Sequence, residues 1–464
     1  MTRAVMSHLV AWKTRDARRP LLVRGARQVG KTYLVEAFGR QHFETTLTLD
    51  LERRDELHPL FESQDARRIL QELGLYFEQS IVPGKTLLFL DEIQACPRAI
   101  ATLRYFQEEL PALHVIAAGS LFDCAQRPFD FALRQFGFPL PTGCVEYLHL
   151  EPLSFQEFLR AAGAEALAEY LEHFTLGDEI GPAVDRRLQD LLRAYAFVGG
   201  MPAAVAAYVE RGELAEVQRM LASTVAALQD DFAKYGTRAQ QRNMRRILQY
   251  VPGHIGEKLK YVKITRRIRS IEMRIALELL ELSRIVTLVR HSSANGVPLG
   301  AGASETRFKP LLLDIGLASH ICGLAFRHAG DLLTVHEGRL AEQFVGQELR
   351  AFGPPFEQRR LHYWQREAKS ANAAVAYLWA AGDVILPIAV RAGKPGSLKS
   401  VHVFLAEKKR HWAVRFDLGP PSIGFFEHEV MVADQLQQVR YTLLSLPLYL
   451  ASQLERILAD VLSM

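Results

Sequence analysis

Residues 21–32 read LLVRGARQVGKT, an apolar run followed by the pattern Gly-x-x-x-x-Gly-Lys-Thr. Glycines in such a loop permit backbone conformations that a Cβ would bar, so that successive N–H groups can surround a polyphosphate. Residues 33–38 are compatible with a helix that ends at Gly39, and the positive end of that helix would point at the same anion. The stretch therefore predicts a strand, a phosphate-binding loop and a helix.

The two polar residues at the end of this loop have separate predicted tasks. Lys31 would reach the β- and γ-phosphates of ATP, and the Thr32 hydroxyl would ligate Mg²⁺. A simple glycine turn is the alternative, but the flanking strand and helix favour nucleotide binding. The predicted nucleotide-binding residues of the loop are Gly25, Ala26, Arg27, Gln28, Val29, Gly30, Lys31 and Thr32.

A second apolar strand, residues 87–90, ends in two carboxylates, Asp91 and Glu92. In P-loop ATPases such a strand lies beside the loop, so that Asp91 can support the Mg²⁺ ion and Glu92 can polarise the attacking water. A solvated strand end is the alternative, and the position of the pair, after the loop with room for an intervening strand, favours the catalytic interpretation. The sequence has no Asn-Lys-x-Asp motif for guanine, so ATP is the expected nucleotide.

A third apolar strand, residues 115–118, leads into Ser120. A polar side chain at that strand end could sense the γ-phosphate or orient the water, which makes Ser120 a candidate catalytic residue; a turn residue is the alternative. Together with apolar segments at 45–51 and 145–150, these strands predict a five-stranded parallel sheet flanked by helices.

Length, charge and cysteine usage limit the class of protein. A chain of 464 residues with 49% apolar residues predicts several domains. The net charge of +4 is too small to indicate nucleic-acid binding by itself. The four cysteines are isolated, which argues against structural zinc and disulfides and predicts a cytoplasmic location. We expect no signal peptide, no transmembrane segment and no membrane partner.

Several stretches of the sequence together form a pattern that is typical of one family. They are GARQVGKT (25–32), LDEIQ (90–94), AGS (118–120), EPLSFQEF (151–158), VGGMP (198–202), DDFAKY (230–235) and FKPLLLDIGL (308–317). With these stretches the chain resembles uncharacterised prokaryotic ATPases of the AAA superfamily that carry a C-terminal domain of unknown function. The likeness covers nearly the whole chain.

This resemblance implies a division of the chain into four parts. An AAA-type P-loop ATPase core would occupy residues 1–152, and a helical segment residues 153–236. A basic winged-helix-like segment would follow at 237–325. An α+β domain similar to the PD-(D/E)xK nucleases would end the chain at 326–464.

One departure from the family pattern lies in the core. Relatives tend to have a basic residue after Gly143, where this chain has Cys144. If that basic side chain acts on a neighbour's phosphate, its loss argues against hydrolysis or ring-type coupling. No arginine finger can be assigned: Arg104 and Arg134 are candidates, and ion pairs on a helix surface are their alternative use.

The residues from Arg238 to Arg274 concentrate positive charge, with Glu257 and Glu272 as the acidic residues among them. In a winged-helix-like fold this stretch could lie along a DNA backbone and release counterions. Solvated helix faces, or partners for acidic helices elsewhere, are the alternative. The basic residues are Arg238, Arg242, Arg245, Arg246, Lys258, Lys260, Lys263, Arg266, Arg267, Arg269 and Arg274.

The nuclease-like domain lacks the residues that its resemblance implies for catalysis. Nucleases of this fold place an Asp on one strand and Glu-x-Lys on the next, where they hold a metal and orient water. The corresponding places here read AVA (374–376) and AVR (389–391). Alanine has no donor atom for a metal, and Arg391 is too basic to take a proton from water. We expect a docking or packing module without nuclease activity, in which Lys369, Arg391, Lys394 and Lys399 are available for an anionic partner.

Three hypotheses follow from the sequence. The first is a Mg²⁺-dependent ATPase that uses ATP to drive or gate a conformational change, with Lys31, Glu92 and Ser120 as its catalytic residues. The second is a nucleotide-gated binding or scaffold protein with little hydrolysis, and Cys144 and the degenerate last domain favour it. The third is a DNA-binding regulator. A protein partner or a homo-oligomer is compatible with all three.

Overall fold

The computed structural model describes residues 3–63, 65–119, 143–234, 236–324, 338–366, 373–392, 398–432 and 435–462. Within these ranges, strands and helices alternate in the first third, helices fill the middle, and strands dominate the last third. No helix of the described residues is both long enough and apolar enough to cross a membrane.

The first third of the chain forms a sheet flanked by helices. Its elements are α1 (Met6–Thr14), β1 (Leu21–Arg24), α2 (Lys31–His42), β2 (Thr45–Asp50), α3 (Ala66–Tyr76), β3 (Thr86–Asp91), α4 (Pro97–Glu109), β4 (His114–Gly119) and β5 (Glu146–His149). Among the described residues the sheet has five strands in the order β2-β3-β4-β1-β5, all parallel. Every residue of β1, β3 and β4 is buried, as expected where helices cover both faces of a parallel sheet. The predicted five-stranded parallel core is confirmed.

The helix after the phosphate-binding loop is longer than predicted. It continues through Gly39 to His42, so the predicted helix end was wrong. A Cβ on Gly39 would lie 2.3 Å from the Thr46 Oγ1 atom of β2. The glycine therefore allows the helix to pack closely on the sheet, and it does not end the helix.

The middle of the chain is helical, as predicted. Its helices are α5 (Phe155–Ala161), α6 (Glu165–His173), α7 (Pro182–Val198), α8 (Pro202–Arg211) and α9 (Leu214–Asp230). The first of them begins with a capping box in which Ser154 and Glu157 satisfy each other's backbone N–H groups. Proline opens both α7 and α8, where its missing N–H has no intrahelical partner to lose.

Three helices and a hairpin follow the helical segment. These elements are α10 (Arg238–Tyr250), α11 (Tyr261–Ile264), α12 (Ser270–Leu282), β6 (Val286–Ser292) and β7 (Ala303–Leu312), and they lead into α13 (Ile315–Ile321). Helix α10 packs against α12, and β6 pairs antiparallel with β7. This order of elements is compatible with the winged-helix-like segment, which stays a prediction.

The last part of the chain completes a second sheet. Its elements are α14 (Arg339–Ala351), β8 (His362–Gln365), β9 (Ala374–Ala381), β10 (Val384–Val390), α15 (Lys399–Lys408), β11 (Trp412–Asp417), β12 (Ser422–Val432), β13 (Gln435–Pro447) and α16 (Leu454–Leu462). Among the described residues this mixed sheet has eight strands in the order β12-β13-β11-β10-β9-β8-β6-β7. The β6–β7 hairpin thus belongs to the same sheet, which takes strands from both sides of the predicted boundary at 325–326. The four-part division and the nuclease-like character of the last part stay predictions.

Two of the sequence motifs lie against each other between the helical segment and the second sheet. Asp314 accepts a hydrogen bond from the backbone N–H of Gly200 at 2.6 Å. A Cβ on Gly199 would lie 2.1 Å from the Asp314 Oδ1 atom. Gln347 of α14 donates to the Tyr195 hydroxyl at 2.8 Å in the same place. The VGGMP and FKPLLLDIGL stretches therefore form the joint between these two regions.

Candidate nucleotide-binding site

The loop after β1 has the backbone shape of a phosphate cradle. Gly30, which precedes α2, has φ +94°, and Gln28 has φ +65°. A Cβ on Gly25 would lie 2.5 Å from the carbonyl oxygen of Leu150, which follows β5. The first glycine is therefore required by close packing against the neighbouring chain segment, and the second by its left-handed conformation.

Lys31 lies inside this loop. Its side-chain ammonium donates to the carbonyl oxygens of Gly25 at 3.2 Å and Ala26 at 2.9 Å, and the residue is 5% exposed. Burial lowers the pKa of Lys31, and the charges of Glu92 and Asp91 oppose that shift. A buried cation bonded to two neutral carbonyl groups would be stabilised by an anion, and a triphosphate in the loop would supply one.

Thr32 and Asp91 meet beside the loop, although they lie in different motifs. The Thr32 hydroxyl donates to Asp91 Oδ2 at 2.6 Å. Burial raises the pKa of Asp91, whereas the hydrogen bond from Thr32 lowers it. A hydroxyl and a carboxylate are hard oxygen donors of the kind that Mg²⁺ prefers, so this pair fits the ion that the loop chemistry implies.

Glu92 follows Asp91 at the carboxyl end of β3. Its backbone is left-handed, with φ +47°, and its N–H donates to Asp91 Oδ1 at 3.0 Å. The Gln94 amide donates to the Glu92 carboxylate. Sequence reasoning included Gln94 in the LDEIQ stretch but gave it no role, and the structure shows that it contacts the proposed catalytic carboxylate. The catalytic role of Glu92 itself stays a prediction.

The remaining core candidates have different outcomes. Ser120 and Arg134 lie outside the described residues. Arg104 donates to Glu108 at 2.7 Å on the exposed face of α4, which is the surface ion pair given as its alternative use. Cys144 is half-buried just before β5.

The helical segment holds the loop through ion pairs that the sequence did not predict. The guanidinium of Arg27 lies 2.7 Å from Asp231 Oδ1, and burial raises the pKa of Asp231 while Arg27 opposes that shift. Arg3 donates to the Val29 carbonyl and to Glu157 Oε1, both at 3.0 Å. The signal in the sequence for Asp231 was the DDFAKY stretch (230–235) of the family likeness, which contains this residue but indicates no role for it. The loop is therefore tied on two sides to the helices that follow the core.

The second sheet and its neighbouring helix α14 do not bring together a comparable set of polar side chains among the described residues. Ala374 and Ala389 lie on the antiparallel neighbours β9 and β10. On α14, Glu342 pairs with Lys309 at 3.1 Å, and Glu348 accepts from the Phe155 N–H at 3.0 Å. Among the described residues, no group of three or more His, Cys, Asp or Glu side chains could hold a metal ion.

The basic stretch forms an exposed surface on α10, α11 and the start of α12. Of its basic residues only Lys258 is half-buried, and the rest are exposed. Lys263 lies 3.5 Å from Glu257, and Arg274 lies 3.7 Å from Glu278. Those two residues therefore have acidic partners, as expected if the basic stretch pairs with acidic residues and does not bind DNA. Lys369 and Lys394 of the last part lie outside the described residues.

Comparisons with known proteins agree with the geometry of the first sheet. Residues 17–159 match the model of an AAA domain, and residues 189–327 match the model of a domain of unknown function (DUF8612). The chain thus has an AAA-type P-loop domain at residues 17–159. No curated protein matches the chain.

Three solved structures show a distant likeness. PCH-2 from C. elegans is 13% identical over 47% of this chain and 67% of that chain, with a TM-score of 0.27. AMPPCP-bound DnaA from Aquifex aeolicus is 12% identical over 60% of this chain and 86% of that chain, with a TM-score of 0.22. A STAND protein with a tetratricopeptide repeat sensor from Pyrococcus horikoshii is 13% identical over 77% of this chain and 46% of that chain, with a TM-score of 0.26. At such low TM-scores none of these likenesses supports a function for this chain.

Proposed function

We propose that this chain is a Mg²⁺-dependent ATPase that uses the hydrolysis of ATP to drive or gate a conformational change. The observation that supports it most is the 2.6 Å hydrogen bond between Thr32 and Asp91. These two residues come from separate motifs, and both have oxygen donors suited to the metal of a bound nucleotide. Their meeting beside a glycine loop with a buried lysine is what a nucleotide site requires.

In this proposal each residue has one task. The N–H groups of the loop and Lys31 bind the β- and γ-phosphates. Thr32 and Asp91 would hold Mg²⁺, which, when bound, neutralises charge on the phosphate oxygens. Glu92, oriented by Gln94, accepts a proton from the attacking water as it approaches the γ-phosphorus.

The contacts of the loop suggest how a conformational change would begin. Arg27 and Arg3 connect the loop to Asp231 and Glu157 of the helical segment. A phosphate that draws the loop N–H groups and Lys31 inward would change the position of these arginines relative to their carboxylates. The helical segment would therefore respond to the bound nucleotide.

Steady-state phosphate release tests the enzyme. We expect Glu92→Gln to lower turnover by about 100-fold while ATP binding, measured by calorimetry, is unchanged. Glu62→Gln is the matched control, because Glu62 is an exposed carboxylate of the same core that pairs with Arg98 at 3.2 Å. Full turnover by Glu92→Gln would exclude Glu92 as the base. A wild-type chain that binds ATP without turnover would leave the nucleotide-gated protein as the function.

DNA binding is the second candidate function, and the exposed basic surface favours it. Arg266, Arg267 and Arg269 are exposed, and they lie together just before α12. Filter binding to duplex DNA at stepped salt concentrations tests this candidate, since phosphate contacts make affinity fall steeply with salt. We expect Arg266→Ala/Arg267→Ala to reduce both affinity and salt dependence, and the exposed pair Arg186→Ala/Arg187→Ala on α7 to change neither. A flat salt response, or no binding at low salt, would exclude it.

Protein partners and self-association belong to the proposal as well. An AAA-type domain is compatible with an assembly that forms when ATP binds. Sedimentation with and without ATP tests this, and an unchanged sedimentation coefficient would indicate that the chain works without assembling. The charged module proposed for the last part of the chain would then bind its anionic partner as a single copy.

A further inference from the structure

A cavity of about 230 Å³ lies where the core, the helical segment and the last part of the chain meet. Most of its walls come from residues within the stretches 3–8, 149–152, 154–160 and 350–359. Residues 25–32, all of which the structure describes, contribute none of the walls, so the cavity is separate from the phosphate-binding loop. Exposed residues such as His8 and Glu357 line it, and a ligand can therefore enter from solvent.

Gln156 of α5 brings an unpartnered hydrogen-bond donor to this cavity. The residue is 4% exposed, and its side-chain amide nitrogen has no hydrogen-bond partner among the described residues. A buried polar group that is left without a partner costs about 1–3 kcal/mol. Because Gln156 lines the cavity, an acceptor oxygen of a bound molecule would satisfy its amide.

His149, at the end of β5, supplies a second donor to the cavity. Arg284 donates to its Nδ1 atom at 2.7 Å, so the neutral imidazole carries its proton on Nε2. Burial, and then the charges of Arg284, Arg24 and Arg350, lower the pKa of His149 to about 3, which keeps the ring neutral near pH 7. In the part of the chain that the structure describes, no atom accepts a hydrogen bond from this Nε2–H group. The three arginines make the surroundings of the ring electropositive, which favours an anion as the acceptor.

The carboxylates in the cavity walls do not oppose such an anion strongly, because three of them are paired with arginines. The pairs are Glu151 with Arg350 at 2.6 Å, Glu157 with Arg3 at 3.0 Å and Glu172 with Arg160 at 2.7 Å. The remaining lining carboxylate, Glu357, is exposed, so solvent and salt screen its charge. The walls therefore offer hydrogen-bond donors that lack acceptors.

Apolar side chains form another part of the walls. Leu150 and Pro152 contribute from the segment after β5, and Phe352 and Pro355 from the segment after α14. An apolar cavity of about 150 Å³ is large enough to hold benzene. The present cavity therefore has room for a molecule with a small apolar body and one charged group.

We propose that this cavity binds a small organic carboxylate. Its oxygens accept hydrogen bonds from Gln156 and His149, and its apolar body lies against Leu150 and Pro355. A carboxylate suits these two donors because it has two acceptor oxygens. A bare phosphate ion would satisfy the donors but would leave the apolar walls in contact with water.

Arg3 connects the cavity to the phosphate-binding loop. It lines the cavity, and its guanidinium donates to the Glu151 carbonyl at 2.6 Å and to the Val29 carbonyl at 3.0 Å. A bound carboxylate would attract this guanidinium in competition with the Val29 carbonyl, so occupancy of the cavity would act on the loop. This consequence rests on the proposed function, because it needs a nucleotide in the loop, whereas binding of the carboxylate does not.

Saturation-transfer NMR of the full chain with benzoate tests the proposal, and benzamide and inorganic phosphate are the comparison probes. We expect benzoate to bind with a Kd of about 1 mM. Benzamide has the same ring without the charge, and it should bind at least about tenfold more weakly. Phosphate has the charge without the apolar body, and an equal concentration should not displace benzoate.

Two variants and a control locate the bound probe. Gln156→Leu removes the amide donor with little change in volume and should weaken benzoate binding about tenfold. Ala351→Leu enlarges a side chain of the cavity wall and should weaken binding by filling the space. Gln107→Leu on α4 is the matched control and should change nothing. The carbonyl oxygen of Gln107 is also unpartnered among the described residues, but this residue does not line the cavity.

Absence of benzoate binding at concentrations well above the expected Kd, or equal binding of benzamide, would overturn the carboxylate site. Equal displacement by phosphate would overturn the need for an apolar body. Benzoate binding that neither Gln156→Leu nor Ala351→Leu weakens would overturn the cavity as its location. If Gln156→Leu does not fold, Ala351→Leu alone decides.

Calorimetric titration with AMPPCP and Mg²⁺, with and without benzoate, tests the connection to the loop. We expect saturating benzoate to change the affinity for AMPPCP by about threefold or more. Bound benzoate with unchanged AMPPCP affinity would overturn the connection and leave the site. A chain that binds benzoate but no nucleotide would overturn the proposed function and, again, leave the site.

Discussion

The two sheets of this protein use their buried polar groups in opposite ways. At the carboxyl end of the first sheet, Lys31, Thr32 and Asp91 converge on a glycine loop. Burial lowers the pKa of Lys31 and raises the pKa of Asp91, and each shift favours the neutral form of the side chain. In the second sheet, Ala374 and Ala389 occupy the positions where the nuclease-like interpretation would expect metal ligands, and the carboxyl group of Glu348, on the adjacent helix α14, accepts a hydrogen bond from the backbone of Phe155.

This difference separates residues that bind ligands from residues that hold the fold. A buried charge that a ligand can satisfy is stabilised further when the ligand binds, whereas a buried carboxyl bonded to a backbone N–H stabilises the folded chain itself. The first sheet has buried charges of the first kind, and the region of the second sheet has a buried carboxyl of the second kind. Substitutions in the first should change binding, and substitutions around the second should change stability.

The largest effect should come from Lys31→Ala. We expect ATP to bind at least about 100-fold more weakly, which corresponds to about 3 kcal/mol, because the loop loses its cation for the β- and γ-phosphates. Calorimetry with ATP and Mg²⁺ measures it. Lys85→Ala is the matched control, since Lys85 is an exposed lysine of the same core that pairs with Glu44 at 2.9 Å. Equal affinities in wild type and Lys31→Ala would contradict the nucleotide site.

Next in size is the effect of Gly199→Ala on stability. The new Cβ would lie 2.1 Å from Asp314 Oδ1 at a backbone with φ +76°, so the joint between the helical segment and the second sheet must open. We expect a loss of about 2.5 kcal/mol, seen as a lower midpoint of thermal unfolding by circular dichroism.

Gly212→Ala separates the clash from the backbone strain. Gly212 has φ +66°, and a Cβ there would meet no atom within 4 Å. This control should cost only about 1 kcal/mol. Similar losses in the two variants would show that Asp314 does not hold the joint.

A smaller, pH-dependent effect should follow from Glu348→Gln. Burial raises the pKa of Glu348 to about 8 in the folded chain, above its value of 4.5 in the unfolded chain. The stability from the protonated group is therefore fully present below pH 4.5 and is lost as the pH rises to about 8. Glutamine cannot ionise, so the stability of the variant relative to wild type should rise between pH 5 and pH 9, with most of the rise below about pH 8.

Unfolding midpoints of wild type and variant between pH 5 and pH 9 measure this effect. Taking the difference between them removes other groups that titrate in this range, such as Asp314, whose pKa burial raises to about 6. Glu357→Gln, at an exposed position, is the control and should leave the pH profile unchanged. A constant difference between Glu348→Gln and wild type across the range would mean that Glu348 is ionised throughout.

The smallest expected effect is on nucleic-acid cleavage. Incubation of plasmid DNA with wild type or Lys31→Ala and Mg²⁺ or Mn²⁺ should give no nicks above those seen in buffer alone, because Ala374, Ala376 and Ala389 offer no metal ligands. Agarose-gel electrophoresis of the plasmid measures it. Clear nicking by both preparations would place a nuclease centre in the chain and would remove the contrast between the two sheets.

Much of the first sheet could be predicted from the sequence because its signals are local. Apolar runs gave its strands, and the spacing of Gly25, Gly30 and Lys31 gave the loop. The helix end predicted at Gly39 was wrong because this glycine is needed for close packing against Thr46, a residue of the next strand. In the second sheet, the pairing of β6 with β8 has no local signal in the sequence.

The sequence by itself determined the phosphate-binding loop, the strand that ends in Asp91 and Glu92, and the alanines at the nuclease-like positions, because each is a pattern of neighbouring residues. Only the tertiary structure decided that Arg27 pairs with Asp231 and that Arg284 reaches His149. Such contacts join residues far apart in the chain, and they form only where the packing of whole helices and sheets brings side chains within about 3 Å. No local pattern encodes that distance.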